Sequence, residues 1–527
     1  IPCGGVLAAL MAGNTVILKP APEAVLVAWR MCNILWEAGI PEDVLQFVPT
    51  GDDERGRTLV TDDRVDGVIL TGAHATGKMF QSWKPELRLM AETSGKNSMI
   101  ITAMADHDQA IKELVKSAFG HNGQKCSAAS LAVLEAEVYD NPAFLRQLKD
   151  ATASLHVGPA WDLSSKVTPV IREPDPTLKR GLTQLDAGES WLLEPQMIDG
   201  NPNLLSPGIK MGVKRGSWYH QNECFGPVLG LIRAKDLDEA IAIVNDSQYG
   251  LTSGLQSLDD REVEQWTEQI EVGNAYVNRG TTGAIVNRQP FGGWKKSAFG
   301  SGAKAGGPNY VLSLGHLSQR ALPQEQAEPT HAVQAMLADM IEIGRSEGVL
   351  NGEQIALLEA TARSYAWAWQ THYREEHDPS GVLGEKNLFR YRPLPEFILR
   401  VKSDEVNVEA CQVALATRTC GVPLTISVPS SAERVTLLDL APDINVVVEG
   451  IEGFIGRLRG AHVERVRILG GEVLPEVRTA ANEAHVHLVE GPVLANGRAE
   501  LRHYVREQAL SITTHRYGNI VPKPDAG

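Results

Sequence analysis

The feature that most constrains the fold is an alternation of short β-rich runs with longer helical patterns in the first hundred residues. The strand-like runs lie near 15–18, 45–48, 68–70 and 87–90, and the helical patterns lie near 23–38, 52–61 and 74–83. Strands separated by helices of this length form parallel sheets covered on both faces. Because ligands bind at the carboxyl ends of such strands, polar residues that follow these runs are candidate site residues.

A second alternating region follows a Pro- and Gln/Glu-rich stretch at 321–331, which we interpret as a linker. Two helical patterns come first, near 331–346 and 352–376. Strand-like runs then follow near 423–428, 444–449, 465–469 and 485–489. A further helix is predicted at 106–119, because Asp106 is a favourable N-cap residue. The sequence therefore predicts an α/β fold with two doubly wound units.

Composition excludes several classes of function. The 527 residues carry a formal net charge of −15, and an acidic surface repels phosphate backbones, so we expect no nucleic-acid partner. The six cysteines form no C-x-x-C pair, which argues against a metal site or a disulfide framework and favours a reducing, cytoplasmic setting. No apolar run is long enough to predict a membrane-spanning segment.

The first residues predict that a preceding part of the protein is missing from this sequence. The chain has no initiator Met and no signal peptide, and residues 1–5 run directly into a helical pattern. A strand and a loop would normally come before such a helix. We therefore expect the chain to be a fragment of a longer protein.

The segment 71–78 is a candidate phosphate-binding turn, since it follows a strand and opens a helix. Glycines at 72 and 77 would let backbone N–H groups approach a pyrophosphate at the helix N-terminus. The spacing G-x4-G-K also imitates the loop of nucleotide hydrolases. That loop requires Ser or Thr after its Lys to hold magnesium, whereas Met79 stands here. A plain strand–helix turn is the alternative for this segment.

Cys126 is the candidate nucleophile. It lies in Gly123-Gln124-Lys125-Cys126-Ser127, a Gly-rich and polar stretch just past a helix. Most free cysteines are small buried apolar residues, and that is the alternative here. A thiolate is stabilised in an electropositive and partly open site, and it attacks carbonyl carbon well. On this basis we expect Lys125 and its polar neighbours to make Cys126 reactive.

Two carboxylates are candidates for acid–base chemistry or ligand binding. Glu92 stands at the end of the strand-like run that begins at 87, where a side chain in an open sheet points toward the ligand. Glu223 lies in Glu223-Cys224-Phe225-Gly226-Pro227. An ordinary solvated surface Glu is the alternative for each.

Taken together, these segments resemble the aldehyde dehydrogenase superfamily over residues 1–315. The matching pieces occur in family order: 13–20 (GNTVILKP), Thr71-Gly72 with Gly77, Glu92 with 95–97 (GKN), 123–126 (GQKC), 223–227 (ECFGP), Asn245-Asp246 with 249–251 (YGL), and 290–293 (PFGG). The resemblance implies a doubly wound NAD-binding sheet and an α/β catalytic domain. It also implies that Cys126 attacks the aldehyde and that Glu92 activates water as a general base.

The resemblance further implies a cofactor, NAD or alternatively NADP. Lys19 would bind the adenine-side ribose, Glu223 would hold the nicotinamide ribose, and Phe225 would pack beside the nicotinamide. Gly72 and Gly77 would let the pyrophosphate approach. Pro22 occupies the usual position of a ribose-binding acid, so Glu23, one residue later, is the candidate for that role. The family's oxyanion-binding Asn would precede Ile1, so we expect this chain alone to be nearly inactive.

Two segments resemble the glutamate-semialdehyde (1-pyrroline-5-carboxylate) dehydrogenases within the superfamily: 125–127 (KCS) and 278–286 (NRGTTGAIV). The substrate carries a carboxylate at the end away from its aldehyde. Ser127 and the backbone N–H groups of Gly283 and Ala284 would bind that carboxylate, and Phe291 would line the substrate site. A Gly/Thr turn without a binding role is the alternative for 280–284.

The C-terminal region resembles the long forms of the proline utilization A family. The matching pieces are 384–387 (GEKN), 390–393 (RYRP) and 511–519 (SITTHRYGN). This resemblance implies an upstream proline dehydrogenase domain in the same parent protein, with FAD bound only there. It also implies a homo-oligomer and a non-catalytic, aldehyde-dehydrogenase-like domain at the end of the chain, since Cys411 and Cys420 lack the context of Cys126.

The expected organisation has five parts: the end of an NAD-binding domain at 1–98, a catalytic domain at 99–286, an oligomerisation segment at 287–320, a linker at 321–331, and the non-catalytic domain at 332–527 with a lid motif at 511–519. The leading hypothesis is NAD-dependent oxidation of glutamate γ-semialdehyde to glutamate. Two alternatives stay open, namely another small aldehyde and an inactive scaffold. A nucleotide hydrolase comes last because of Met79.

Overall fold

The computed structural model describes residues 2–401, 408–429, 444–460 and 463–515. The first part of the chain alternates helices and strands in the predicted order. Its elements are α1 (Pro2–Met11), β1 (Val16–Leu18), α2 (Val25–Glu37), β2 (Leu45–Phe47), α3 (Glu54–Thr61), β3 (Val68–Thr71), α4 (His74–Trp83) and β4 (Leu89–Glu92). The strands and helices predicted between 15 and 90 are confirmed, with boundaries that differ by one or two residues. Glu92 is the last residue of β4.

The second part of the chain contains most of a large sheet. Its elements are β5 (Ser98–Ile101), α5 (His107–Phe119), β6 (Leu131–Glu135), α6 (Ala136–Tyr139), α7 (Pro142–Ala153), α8 (Pro176–Thr183), β7 (Ser190–Leu193), β8 (Gly208–Met211), α9 (Trp218–Gln221), β9 (Val228–Ala234), α10 (Leu237–Asn245), β10 (Tyr249–Gly250), β11 (Thr252–Gln256), α11 (Asp260–Gln269), β12 (Asn274–Val277), β13 (Trp294–Lys295) and β14 (Ala298–Phe299). The predicted N-cap of α5 is confirmed, because the Asp106 side chain accepts a hydrogen bond of 3.2 Å from the amide of Gln109.

The third part of the chain begins with two helices and continues into alternating strands and helices. Its elements are α12 (His331–Ser346), α13 (Gly352–Ala368), β15 (Glu385–Pro393), β16 (Phe397–Val401), α14 (Val408–Cys420), β17 (Leu424–Val428), β18 (Asn445–Val448), α15 (Ile451–Gly460), β19 (Arg465–Leu469), α16 (Pro475–Ala484), β20 (His487–Val489), α17 (Gly497–Glu500) and β21 (Val505–Thr513). The helix predicted at 352–376 is shorter than expected. It ends at Ala368 and is followed by one π-helical turn, Trp369–Tyr373.

The first sheets are small. Strands β1 and β2 form a parallel pair, and β3 pairs with β4 in parallel while β14 pairs with β4 in the antiparallel direction. The register aligns Glu92 with Thr71 on one side and with Ala298 on the other. The candidate base therefore lies at the carboxyl end of a parallel strand, next to the turn that opens α4.

The large sheet has the strand order β15-β21-β12-β11-β5-β6-β9-β8-β7 within the described residues. Strands β21, β12, β11, β5, β6, β9 and β8 run parallel to one another. Alternate residues of β5 enter different cores, Ile100 on one face and Met99 with Ile101 on the other. This alternation confirms a parallel sheet covered on both faces, as the strand–helix pattern predicts.

The C-terminal part of the chain contributes two strands to this large sheet. Strand β21 pairs in parallel with β12, with Asn274 opposite Ala509, and β15 pairs with β21 in the antiparallel direction along its whole length. The sequence pattern does not predict this, because a long-range pairing leaves no periodic signal in either strand. The consequence is that residues near 385 and 510 lie in the same sheet as the nucleophile-bearing part of the chain.

The C-terminal part also forms its own parallel sheet, with the order β18-β17-β16-β19-β20. Residues Phe397, Leu399 and Val401 of β16 face one core, whereas Ile398 faces the other. The second doubly wound unit is therefore confirmed. Cys411 and Cys420 are buried in α14. Of the motif predicted at 511–519, β21 includes 511–513, and 516–519 lie outside the described residues.

The described residues contain no helix that is both long and apolar enough to cross a membrane.

Candidate active site

The nucleophile candidate follows a tight turn with left-handed backbone. Helix α5 is followed by a 3-10 helix at Gly120–Gly123, in which Asn122 and Gly123 have φ values of 59° and 67°. Asn adopts this conformation more readily than most residues, and Gly adopts it freely. The Asn122 side chain also fixes the turn, since its Oδ1 accepts a hydrogen bond of 2.7 Å from the amide of Thr168. Cys126 comes three residues after this turn.

Two glycines let the Glu223 loop pack against the Cys126 loop on one side and against helix α8 on the other. A Cβ at Gly123 would overlap the carbonyl group of Gly226, and a Cβ at Gly226 would overlap the side chain of Leu178. These contacts explain why glycine occurs in both motifs. The packing brings the segment that carries Cys126 against the segment that carries Glu223.

Asn97 holds the backbone of the nucleophile. Its Nδ2 donates hydrogen bonds of 2.6 Å to the carbonyl oxygen of Cys126 and 3.0 Å to that of Ala128, and its Oδ1 accepts one of 3.1 Å from the amide of Thr252. The side chain is buried, so these bonds cannot be replaced by bulk water. Asn97 belongs to the GKN motif, but the sequence analysis assigned it no role.

Glu92 is held in the site by a glycine pair. The amide of Gly293 donates a hydrogen bond of 3.0 Å to Glu92 Oε2, and a Cβ at Gly292 would lie 2.6 Å from Oε1. Only a residue without a side chain allows so close an approach of the backbone to the carboxylate. Burial raises the pKa of Glu92 to about 8, although the charge of Lys304 and the Gly293 hydrogen bond oppose the rise. A carboxyl group with a pKa near neutral suits a general base.

The electrostatic setting of Cys126 differs from the expectation. Burial raises the pKa of the thiol to about 11, and the negative charges of Glu92 and Glu223 raise it further. Burial and these two carboxylates therefore shift the pKa of the thiol in the direction opposite to that expected of an electropositive site. The same interactions show that Cys126, Glu92 and Glu223 lie close enough to affect one another. The thiol needs a proton acceptor before it can react.

A buried cation and a second carboxylate lie beside Glu92. Lys304 is fully buried, and its Nζ donates hydrogen bonds to the Gly292 carbonyl oxygen and, at 3.3 Å, to Asn274 Oδ1. The backbone amide of Lys304 donates to Glu507 on β21. Burial lowers the pKa of Lys304 to about 8, while Glu92 and Glu507 oppose the fall. No local pattern in the sequence pointed to either residue.

Glu223 and Phe225 lie at the rim of the same site. Glu223 Oε1 accepts a hydrogen bond of 2.9 Å from the amide of Gly95, and burial raises the pKa of this carboxyl group. Phe225 has a φ of 53° and an exposed fraction of 42%. An exposed aromatic ring on a strained backbone is available for packing against a planar ring.

Lys19 and Glu23 lie between β1 and α2, and each forms an ion pair. Lys19 Nζ lies 3.2 Å from Asp52 Oδ1, and Glu23 Oε1 lies 2.5 Å from Arg172 Nη2. The Arg172 side chain lowers the pKa of Glu23. The segment of Arg172 also contacts the nucleophile loop. The amide of Ile171 donates a hydrogen bond to the side chain of Gln124, two positions before Cys126.

One feature of the turn that opens α4 is compatible with a bound pyrophosphate. Its N-cap residue is Ala73, which has no side chain that could bond the first N–H groups of the helix. The His74 amide donates to Ser94 Oγ at 3.2 Å, and helix N-termini of this kind can bind anions. Gly72 lies in this turn. Gly77 has another reason to be glycine, since a Cβ there would lie 2.7 Å from the ring of Phe299. Its predicted cofactor role stays a prediction beside this packing role.

Of the candidate substrate residues, Ser127 lies next to the nucleophile, and the loop that carries Gly283 and Ala284 is bonded to it. Ser127 is buried, and its carbonyl oxygen accepts a hydrogen bond of 3.1 Å from the hydroxyl of Thr281. Two residues later Gly283 has a φ of 88°, and it and Ala284 are exposed. Phe291 is half-buried and pairs with Ala305 through two backbone hydrogen bonds of 3.0 and 2.9 Å.

Among the described residues, no group of three or more His, Cys, Asp or Glu side chains is arranged to hold a metal ion.

Comparison with protein-family models gives a match to the aldehyde dehydrogenase family over residues 1–314. The 1-pyrroline-5-carboxylate dehydrogenase of Bacillus subtilis (strain 168) is 36% identical over 321 residues, which cover 59% of this chain and 62% of that protein. The chain thus spans less than two thirds of the length of this relative.

Two solved structures extend the comparison. Proline utilization A from Corynebacterium freiburgense is 41% identical, with a TM-score of 0.83 over 98% of this chain and 48% of that one. A 1-pyrroline-5-carboxylate dehydrogenase from Thermus with bound NAD is 34% identical, with a TM-score of 0.52 over 57% of this chain and 59% of that one. The first of these likenesses includes the C-terminal part of the chain.

Proposed function

This chain belongs to the aldehyde dehydrogenase family, and on that premise we propose that it oxidises L-glutamate γ-semialdehyde to L-glutamate with NAD, or alternatively NADP. The observation that carries the proposal is that the segment after Glu92 bonds to both other groups: the Gly95 amide donates to Glu223 Oε1 at 2.9 Å, and Asn97 Nδ2 donates to the Cys126 carbonyl oxygen at 2.6 Å. The names of the relatives support the choice of aldehyde.

The first step forms a bond between Cys126 Sγ and the carbonyl carbon of the aldehyde. With a pKa of about 11, the thiol keeps its proton at neutral pH, so a base must accept this proton as the bond forms. Solvent water accepts this proton, and Glu92 acts in the later hydrolysis step. The backbone N–H of Cys126 stabilises the oxygen of the thiohemiacetal.

When bound, NAD(P) would supply the hydride acceptor, and loss of hydride from the thiohemiacetal carbon would leave a thioester on Cys126. The N-terminus of α4 with Gly72 would hold its pyrophosphate, Lys19 and Glu23 its adenosine ribose, and Glu223 its nicotinamide ribose. The exposed ring of Phe225 would pack beside the nicotinamide. Together these residues would hold the cofactor next to the nucleophile.

Hydrolysis of the thioester depends on Glu92 as a general base. The carboxylate takes a proton from water, the resulting hydroxide attacks the acyl carbon, and Cys126 leaves as the thiol. A pKa of about 8 means that most of Glu92 is protonated at pH 7. The rate of this step therefore rises with pH through the range in which Glu92 ionises.

Two substitutions test the two chemical roles in the full-length protein. Cys126→Ala should abolish steady-state oxidation and leave NAD binding nearly intact. Glu92→Gln should give a burst of NADH equal to one turnover and then stop, because the thioester forms but is not hydrolysed. Steady-state turnover by the Cys126 variant, or unchanged turnover by the Glu92 variant, would contradict these roles.

Ser127, with the backbone of Gly283 and Ala284, would bind the carboxylate at the other end of the substrate. A substitution at Ser127 therefore tests which aldehyde the enzyme prefers. Ser127→Ala removes one hydrogen bond to a charged group, so kcat/KM for glutamate semialdehyde should fall by roughly 10–150-fold. Pentanal, which has no carboxylate, should lose little. Equal losses for both aldehydes, or better turnover of succinate semialdehyde by the unchanged protein, would overturn the substrate assignment.

The wider organisation of the protein stays a prediction. It includes the five-part division, the linker at 321–331, the non-catalytic role and lid motif of the C-terminal part, a homo-oligomer and a cytoplasmic location. The likeness to proline utilization A supports an upstream proline dehydrogenase domain with FAD in the same parent protein.

A further inference from the structure

The loop between Asn278 and Gln289 carries the backbone groups that we assign to the carboxylate of the substrate. Its tip, residues 283–287, is exposed, and three of its residues have positive φ: Asn278 (54°), Gly283 (88°) and Asn287 (65°). An exposed tip of this kind has few contacts of its own. Its position therefore depends on how the two ends of the loop are held.

The first end of the loop is attached to the nucleophile segment. The amide of Thr281 donates a hydrogen bond of 3.0 Å to the hydroxyl of Ser117 on α5, and the Thr281 hydroxyl donates one to the carbonyl oxygen of Ser127. These bonds fix the distance of the loop from Cys126. They do not fix the tip, which extends beyond them.

Gln289 ties the far side of the tip to the C-terminal part of the chain. Its Oε1 accepts a hydrogen bond of 2.9 Å from the amide of Ile285, and its Nε2 donates one of 2.9 Å to Asn387 Oδ1 on β15. Gln289 and Asn387 are 3% and 1% exposed. Both groups are thus removed from water, and losing either partner leaves a buried polar atom unsatisfied.

Asn387 is in turn oriented by its neighbours in the C-terminal strands. The Ser511 hydroxyl on β21 donates a hydrogen bond of 2.9 Å to Asn387 Oδ1, and Asn387 Nδ2 donates one of 3.0 Å to Glu385 Oε2. The amide oxygen therefore faces Gln289, with its orientation set from two sides.

Glu385 forms ion pairs with both ends of the loop. Its carboxylate lies 3.4 Å from the guanidinium of Arg279, at the start of the loop, and 3.7 Å from that of Arg288, near its end. Burial raises the pKa of Glu385, but Asn387 and the two arginines outweigh this and lower it. An ionised Glu385 keeps the like-charged arginines together. Without it they would repel each other, and they would compete with the tip for an anionic substrate.

We propose that Gln289, Glu385 and Asn387, which we call the loop clamp, position the backbone amides of Gly283 and Ala284 and so determine the preference for an aldehyde with a charged far end. The proposal rests on the proposed function. Its members are positioning residues, and two of them come from the motif at 384–387. The C-terminal part of the chain would then take part in substrate recognition through strand β15.

The test compares glutamate semialdehyde with pentanal in the full-length protein. Asn387→Ala and Gln289→Ala should each raise KM for glutamate semialdehyde about tenfold, the effect of one lost hydrogen bond. The kinetic constants for pentanal should stay near those of the unchanged protein. Because Asn387 acts on the tip through Gln289, the double variant should be no worse than Gln289→Ala alone. Lys386→Ala, an exposed neighbour on the same strand, is the matched control and should change neither substrate.

Two results would overturn the loop clamp: an unchanged ratio of the two substrates in both single variants, or equal losses for both. Additive effects in the double variant would likewise contradict a shared contact. Failure of the proposed function would differ from these, since the unchanged protein would then show no preference for glutamate semialdehyde. If the alanine variants do not fold, Gln289→Glu keeps the size of the side chain and the acceptor for Ile285, removes the donor to Asn387, and should give the same rise in KM.

Discussion

The backbone amide of Lys304 donates a hydrogen bond of 2.8 Å to the carboxylate of Glu507, although 203 positions separate the two residues. Both act on the candidate base: the charge of Lys304 lowers the pKa of Glu92, and the charge of Glu507 raises it. Lys304 and Glu92 each have a pKa of about 8. Two buried groups that interact and titrate in the same range share their protons. The pKa of Glu92 therefore depends on whether Lys304 is charged.

Lys304→Met should move the pH dependence of thioester hydrolysis to higher pH. The charge of Lys304 favours ionised Glu92, so its removal raises the pKa of Glu92 above about 8. A higher pH is then needed to form the carboxylate that acts as the base. If the pKa of Glu92 rises by about one, the rate at any pH below it falls about tenfold, because about a tenth as much of the base form is present. The pH profile of kcat measures the change. Lys112→Met, the same change at an exposed position of α5, is the control, and an identical midpoint in both variants would refute the link.

Asn97→Ala should slow acylation by Cys126 and destabilise the protein. The variant leaves the carbonyl groups of Cys126 and Ala128 buried without their donor, which costs about 1–3 kcal/mol in the free energy of unfolding. The loop that carries the thiol also becomes free to move, and small misplacements of a nucleophile reduce rates strongly. Single-turnover NADH formation and urea unfolding measure the two effects. Asn33→Ala, at a half-buried position of α2 whose hydrogen bond to Trp29 is exposed to solvent, should change neither, and a normal single-turnover rate in Asn97→Ala would argue against this role.

Gly77→Ala should reveal whether Gly77 serves packing or cofactor binding. The added methyl group would lie 2.7 Å from the Phe299 ring, and overpacking of this kind costs about 1–3 kcal/mol in the free energy of unfolding. A second change, Phe299→Leu, makes room for the methyl group and should recover part of the loss. Thermal unfolding and NAD titration check the pair. If the double variant regains stability but still fails to bind NAD, the predicted contact with the pyrophosphate is supported instead.

The contact between α16 and α4 should weaken in acid because of two histidines. His485 packs against Phe299, and the rings of His485 and His74 lie 5.1 Å apart. Burial lowers the pKa of both, that of His74 to about 4. An unfolded histidine binds a proton below about 6.5, whereas folded His74 does not until about pH 4. The unfolded chain thus gains protons first, and the stability that is present above pH 6.5 is lost as the pH falls toward 4.

His485→Asn tests this contribution. Asn tolerates the left-handed backbone at this position, where φ is 62°, and it can donate to the carbonyl oxygens of Lys295 and Ala298, which lie 3.0 and 2.8 Å from His485 Nε2. Unfolding should be measured at pH 7.5 and pH 5.5. The variant should lose less stability between the two pH values than the unchanged protein, and an equal loss in both would place the acid sensitivity elsewhere.

Much of the fold could be predicted because the relevant signals are local. Strands such as Val68–Thr71 and Arg465–Leu469 are short apolar runs, and helices such as His107–Phe119 carry their own caps. The strand-end position of Glu92 and the loop position of Cys126 are local features too. Each depends on residues within a few positions along the chain.

The sequence by itself determined which residues could be nucleophile and base, and the order of strands and helices that separates them, because neighbours in the chain decide these. Only the tertiary structure decided that β15 and β21 join the large sheet, that Lys304 and Glu507 act on Glu92, and that Asn387 supports the loop at Gly283. It also decided the electrostatics of Cys126, whose thiol pKa is raised by burial and by two carboxylates. The physical reason is distance along the chain: contacts between residues a hundred or more positions apart leave no periodic trace, and the pKa of a group depends on everything packed around it.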